Sequence, residues 1–133
     1  MDQPAKQTDV PEEDMLRADL YDFLGALLAA PPRKHLIDQT RALNGDDSDL
    51  GRAIAALARV AGQATEPSLE REFNRLFIGV GRGELLPYAS FYMTGFLNEK
   101  PLATLRADMA ALGMERAPSV YEPEDNIASL CEM

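Results

Sequence analysis

An all-α helical bundle is the fold class this sequence predicts, and three observations predict it. Leucine, isoleucine, phenylalanine and methionine recur at three- and four-residue steps in successive segments, as one face of a helix requires. Proline, glycine and Asn-Gly punctuate those segments at intervals that suit helices. Period-two alternation is nearly absent, and no internal repeat interrupts the pattern.

Residues 1–12 are polar, carry two prolines and lack periodicity, which predicts a disordered tail ahead of a helical domain over 13–133. The first helix is expected to begin near Glu12, because Glu12, Glu13 and Asp14 suit the positive end of a helix dipole. Leu16, Leu20, Phe23, Leu24, Leu27 and Leu28 give it one broad apolar face. Pro31-Pro32 ends it, since neither residue continues the hydrogen-bond ladder. A short helix over Lys34–Leu43 follows, closed by Asn44-Gly45. Asp46-Asp47-Ser48-Asp49 reads as loop and cap for a third helix, Leu50–Gly62, with Ile54 and Leu57 inward.

Thr65 and Pro67 open a fourth helix, with Leu69, Phe73, Leu76 and Phe77 on one side. Gly79, Gly81 and Gly83 break it, and Pro87 holds the chain extended before an aromatic segment at Tyr88, Phe91 and Tyr92. The fifth, Pro101–Leu112, places Leu102, Leu105, Met109 and Leu112 inward and stops at Gly113. A last helix is expected from Pro123 and still running at Met133, with Ile127, Leu130 and Met133 inward. Little more than two turns is marginal unless packed against something. The pattern reads as the front of a larger bundle whose missing wall is a continuing chain or a second copy, so self-association is expected.

Composition narrows the function. At 133 residues with 46% hydrophobic content, one domain with a modest core is expected. A net charge of −9 opposes binding to nucleic acid or to an anionic membrane surface, and steers basic partners inward instead. The single cysteine, Cys131, excludes an internal disulfide and fits a reducing compartment. No apolar run approaches the roughly 20 residues of a membrane span. The N-terminus has no Arg-Arg pair followed by an apolar core, so it is not itself an export signal. The reading is a soluble cytoplasmic protein without stable membrane insertion.

Catalytic motifs find no support. Gly79-Val80-Gly81-Arg82-Gly83 follows a helix and lacks the Gly-Lys-Ser/Thr ending of a phosphate loop, so it reads as a helix-terminating turn. The only histidine, His35, has no ligand at metal-binding spacing and reads as exposed. Cys131 has no nearby histidine and reads as a small core residue; Ser90 lacks nucleophile-elbow glycines. Glu122, Glu124 and Asp125 are either an acid/base group or, more simply, residues at a helix N-terminus. Phe73, Phe77, Phe91 and Phe96 read as core. Tyr88 and Tyr92 either pack back on the bundle or offer an apolar face and polar tip to a bound peptide. No enzyme, cofactor or metal is expected.

Two motifs then stand together. Glu72-x-x-x-Leu76-Phe77-x-Gly79 is followed by Pro87-Tyr88-x-Ser90-x-Tyr92, Leu112-Gly113 and Glu122-Pro123-Glu124-Asp125. This order and spacing, with the first helix ending in Pro31-Pro32, resembles the TorD/DmsD family of redox-enzyme maturation chaperones, which includes the NarJ-type proteins. The likeness runs over roughly Leu16 to Met133. It implies an all-helical cytoplasmic chaperone that binds a molybdenum-cofactor oxidoreductase before export or assembly, through its twin-arginine signal peptide, its apoenzyme, or both. It also implies further helices after this motif, and dimers that in some members are domain-swapped.

By the same resemblance the signal-binding surface comprises Tyr21, Leu76, Phe77, Pro87, Tyr88, Ser90, Pro123, Asp125 and Asn126. Tyr92 and Glu122 join it on the physical reading, with Leu76, Phe77, Tyr88 and Tyr92 covering an apolar stretch and Glu122, Glu124 and Asp125 pairing with arginines. The family commonly reads Glu-Pro-x-Asp-His where this chain has Asn126, which bonds in both senses but cannot become cationic. Two rivals compete: a helical adaptor that binds a folded partner without reading a leader, and a nucleotide-binding regulator using the Gly79–Gly83 turn.

Overall fold

The computed structural model describes residues 9–133, so most of the expected disordered tail, residues 1–8, lies outside the described residues. Seven α-helices and one π-helical turn carry the regular structure, and no strand occurs among the described residues. The all-α expectation is met. Helix α1 (Glu12–Ala29) has Glu12, Glu13 and Asp14 in its first turn and ends before Pro31-Pro32. It lies along α7 (Ile127–Glu132). Gly25 is what lets them close: a Cβ there would stand 3.3 Å from the Ala128 carbonyl oxygen and 3.4 Å from the Cys131 Cβ.

Helix α2 (Lys34–Arg41) packs on α3 (Asp49–Ala61) through buried Ile37, Thr40 and Ala61. The expected cap is present, for the Ser48 hydroxyl accepts the Gly51 N–H at 3.0 Å. Helix α4 (Glu66–Phe73) opens with a capping box: Thr65 Oγ1 accepts from the Ser68 N–H at 3.2 Å, and Ser68 Oγ from the Thr65 N–H at 3.0 Å. Helix α5 (Ala89–Thr94) leans on α6 (Lys100–Ala111), where Leu102 and Met109 are buried.

The structure revises several expectations. Helix α4 widens into a π-helical turn, Asn74–Ile78, closed by a 2.7 Å bond from the Gly79 N–H to the Asn74 carbonyl. The chain is extended at Pro87-Tyr88, as expected, and then coils into α5, a helix the sequence reading did not include. The last helix starts at Ile127, not Pro123, because residues 123–126 form a turn and the Asn126 side chain caps the helix. Phe96 is 68% exposed and Leu112 74%, so neither belongs to the core. Leu16, Ile127 and Met133 are also exposed, and Cys131 is half-buried. His35 is exposed, as expected.

Gly79 makes the π turn possible. Its φ of 61° and ψ of −174° lie where an L side chain is strained, and a Cβ would collide with the Arg82 carbonyl. A Gly79→Ala variant is expected to lose about 1–3 kcal/mol of stability. Urea unfolding reads this directly; an unchanged midpoint would show that the turn is not held in this conformation.

Candidate functional site

The site is assembled where residues 87–90 meet residues 122–127. Backbone pairing joins the two segments: the Ala89 N–H donates to the Asp125 carbonyl at 3.1 Å, and the Ile127 N–H to the Pro87 carbonyl at 2.8 Å. Tyr88 and Asn126 thus form an isolated antiparallel bridge. One Asp125 carboxylate oxygen, Oδ2, accepts the Ser90 N–H at 2.8 Å. Tyr88 precedes α5 and supplies no side-chain cap, so Asp125 fills that role from a distant segment. Ser90 and Asp125 are buried, and Asp125 Oδ1 has no hydrogen-bond partner.

Two cavities flank this junction. The first, about 400 Å³, is lined by Leu28, Ala29, Phe73, Phe77, Ile78, Pro87, Tyr88, Asn126, Ala128, Ser129 and Glu132, with residues 119–122 along one side. The second, about 340 Å³, has no charged side chain in its wall: Leu28, Phe77, Leu85, Leu86, Pro87, Tyr88, Ala89, Tyr92, Ile127 and Leu130. Leu28, Phe77, Pro87 and Tyr88 border both. Carboxylates therefore reach one chamber only, from Glu122 and Glu132.

Tyr88 spans the boundary. Its ring lines both cavities, and its hydroxyl donates to Glu122 Oε2. Burial and, next, the bonded Glu122 carboxylate push the phenol up to about 12, so it stays protonated at neutral pH. Arg116 Nη1 donates to the carbonyls of Tyr121 (3.4 Å) and Glu122 (3.2 Å) and fixes the backbone that presents Glu122.

Of the residues singled out from sequence, Phe77, Pro87, Tyr88, Glu122 and Asn126 line the charged chamber, and Tyr92 the apolar one. Ser90 and Asp125 hold the frame beneath them. Leu76 and Pro123 are half-buried and line neither cavity. Tyr21 faces a separate groove between α1 and the end of α7. Sequence reasoning overlooked Leu28, Ile127, Leu130 and Glu132, although their helical spacing on α1 and α7 marks the positions.

Glu124 also departs from expectation. Its carboxylate is held by Arg106, at 3.0 Å to Nε and 2.9 Å to Nη2, on the α6 side. That bond holds the Glu124 pKa below its ordinary 4.5. A lowered folded-state pKa means stability that is present above the unfolded value and lost as pH falls through the folded one. Thermal melts of wild type and Glu124→Gln are therefore expected to differ at pH 7 and to converge as the pH is lowered below 4.5. A constant gap would show that Glu124 does not act as a charge.

The two compartments, one reached by carboxylates and one without charge, sit on an all-helical frame. A family model described as nitrate reductase delta subunit matches residues 43–133, and the chain belongs to that family, the NarJ/TorD group. Chaperone protein TorD of Vibrio cholerae is 30% identical over 126 residues, covering 84% of this chain and 57% of the relative. Chaperone protein TorD of Vibrio atlanticus is 28% identical over 127 residues, covering 84% and 59%. The chain thus spans less than two thirds of the length of these curated relatives. A candidate redox enzyme maturation protein from Archaeoglobus fulgidus shares the fold, with a TM-score of 0.62 at 20% identity over 97% of this chain and 74% of that one. Among the described residues no helix is long and apolar enough to cross a membrane, and no group of three or more His, Cys, Asp or Glu is placed to hold a metal.

Proposed function

We propose that this chain is part of a cytoplasmic maturation chaperone, without catalysis of its own, that cradles the twin-arginine leader of a molybdenum-cofactor oxidoreductase before export or assembly. The observation that carries the proposal is the pair of cavities sharing Tyr88, one reached by Glu122 and Glu132 and one without charge. A leader of this type places guanidinium groups next to an apolar stretch. Arginine–carboxylate bonds set its orientation in the first chamber, and burial of apolar side chains in the second supplies most of the affinity. The chaperone names of the TorD relatives support the same reading.

Self-association belongs to the proposal as well. Tyr92, Met93, Phe96 and Leu97 are exposed together around α5, a stretch of apolar surface suited to a homodimer contact. The same patch favours the second reading, an adaptor that grips a folded redox-enzyme subunit and ignores its leader.

Calorimetric titration separates the two. Peptides carrying the basic half, the apolar half and both halves of a twin-arginine leader are titrated alongside a client lacking its leader. The full leader is expected to bind tightest and to weaken with added salt. Binding of the leaderless client alone would favour the adaptor.

A further inference from the structure

An acidic chain is a poor partner for itself, yet one stretch of its surface carries no charge. From Leu85 to Asn98 there is no Asp, Glu, Lys or Arg, the longest such run in a sequence with a net charge of −9. Within it Leu85, Tyr92, Met93, Phe96 and Leu97 are all exposed. We infer that this surface docks a second copy of the chain, with the Phe96-Leu97 turn of each copy seated in the apolar chamber of the other. Self-association then closes the chamber against a leader, so the dimer is the resting form and the monomer the binding form. The inference rests on the peptide-binding reading above and adds its regulation.

The exposed area supports such a contact. The chain exposes 10184 Å², whereas a compact monomer of 14.6 kDa exposes about 6,900 Å². Allowing for the most that residues 1–8 could expose, about 1,300 Å², an excess of about 2,000 Å² remains. One partner's share of a stable interface is about 800 Å², so the excess is ample for a dimer.

The turn that supplies the knob is built rather than loose. Gly95 closes α5 in the left-handed region at a φ of 81°, and Asn98 stands there too, at 60°. A residue with a side chain is strained in that region and stays only where its surroundings hold it. The hold comes from below: the Asn98 N–H donates to the buried Ser90 hydroxyl at 3.3 Å, and the Phe96 N–H to Thr94 Oγ1 at 3.2 Å. Phe96 and Leu97 are thus presented outward on a fixed frame.

The socket matches the knob. No charged side chain lines the apolar chamber, whose volume is about 340 Å³. A dry cavity of about 150 Å³ already holds a benzene ring, so the Phe96 ring fits with room for part of Leu97. Tyr92 lines the chamber and lies four residues before Phe96. Knob and socket therefore adjoin, and a two-fold axis beside Tyr92 exchanges both knobs at once. Arg82 and Glu84 bracket the uncharged run at one end, Glu99 and Lys100 at the other. Neither end meets the second copy with charge of one sign.

Phe96→Ser combined with Leu97→Ser removes the knob and spares the leader site, since neither side chain lines either cavity. Sedimentation velocity is expected to show a wild-type dimer that a twin-arginine leader dissociates, and a variant that stays monomeric. At a concentration about a hundredfold above the dimer dissociation constant, under about a tenth of wild-type chains are monomers, and leader affinity is expected to fall about tenfold. The variant is expected to bind the leader equally at every protein concentration. A wild type monomeric at every concentration, or a dimer that takes up the leader without dissociating, overturns the inference and leaves the peptide-binding reading standing. A leader that binds neither protein overturns both. A photo-crosslink tests the contact without any leader: a benzophenone amino acid at position 96 is expected to capture residues 85–92 or 127–130 of a second copy. Capture elsewhere, or none, contradicts the inference.

Discussion

An Asp125→Ala variant is expected to lose about 3 kcal/mol of folding stability, the largest effect of any single side chain near the site. The carboxylate is 2% exposed and does the work of a helix cap for α5, taking the Ser90 N–H at 2.8 Å. Alanine leaves that donor buried without a partner, and an orphaned buried N–H carries the full cost of its desolvation. Asp125→Asn keeps an accepting oxygen and is expected to lose less. Urea unfolding followed by helical circular dichroism measures both. Equal stability of wild type and Asp125→Ala would show that α5 does not depend on this bond. The same comparison bears on function, because the 125–127 segment that Asp125 anchors carries the Asn126 bridge to Tyr88.

Tyr88→Ala is expected to weaken leader binding by about thirtyfold while the helices persist. The residue borders both cavities, so truncation removes the wall between the charged and apolar compartments and the surface each presents. A half-buried aromatic with a polar tip, set between two cavities, is the kind of side chain that dominates affinity. Calorimetry gives the dissociation constant and a thermal melt on the same sample checks the fold. An unchanged dissociation constant would sink the groove as drawn.

The helices that sequence reading placed well are those whose signals are local. Thr65 and Ser68 lie three residues apart and cap α4 reciprocally, and Ser48 caps α3 from the adjoining residue. Helix α5 escaped because its cap is Asp125, 35 residues further along the chain. No local pattern around Tyr88 reports that bond. The late start of α7 has a similar cause. Pro123 suits a first helical position, but Asn126 accepts the Ala128 N–H at 2.9 Å and takes over as the cap.

The acidic cluster shows the same division between type and placement. Glu122, Glu124 and Asp125 are neighbours in sequence and were expected to act together on arginines. Folding sends them to three destinations: Glu122 to the cavity, Glu124 to Arg106 and Asp125 beneath α5. A second cavity carboxylate, Glu132, comes from the far end of α7. The π-helical turn at Asn74–Ile78 is likewise a backbone event, and Phe77, which lines both compartments, sits on it. Residue types announced a recognition surface; only the fold apportions charge and apolar wall between its halves.

Amide hydrogen exchange, with and without a twin-arginine leader peptide, tests the central claim most directly. The account predicts protection concentrated at residues 77–78, 85–89, 119–122 and 126–130, which border the two cavities, with α2 and α3 unchanged. Leader-dependent protection confined to α2 and α3, or none at a saturating peptide concentration, would contradict it.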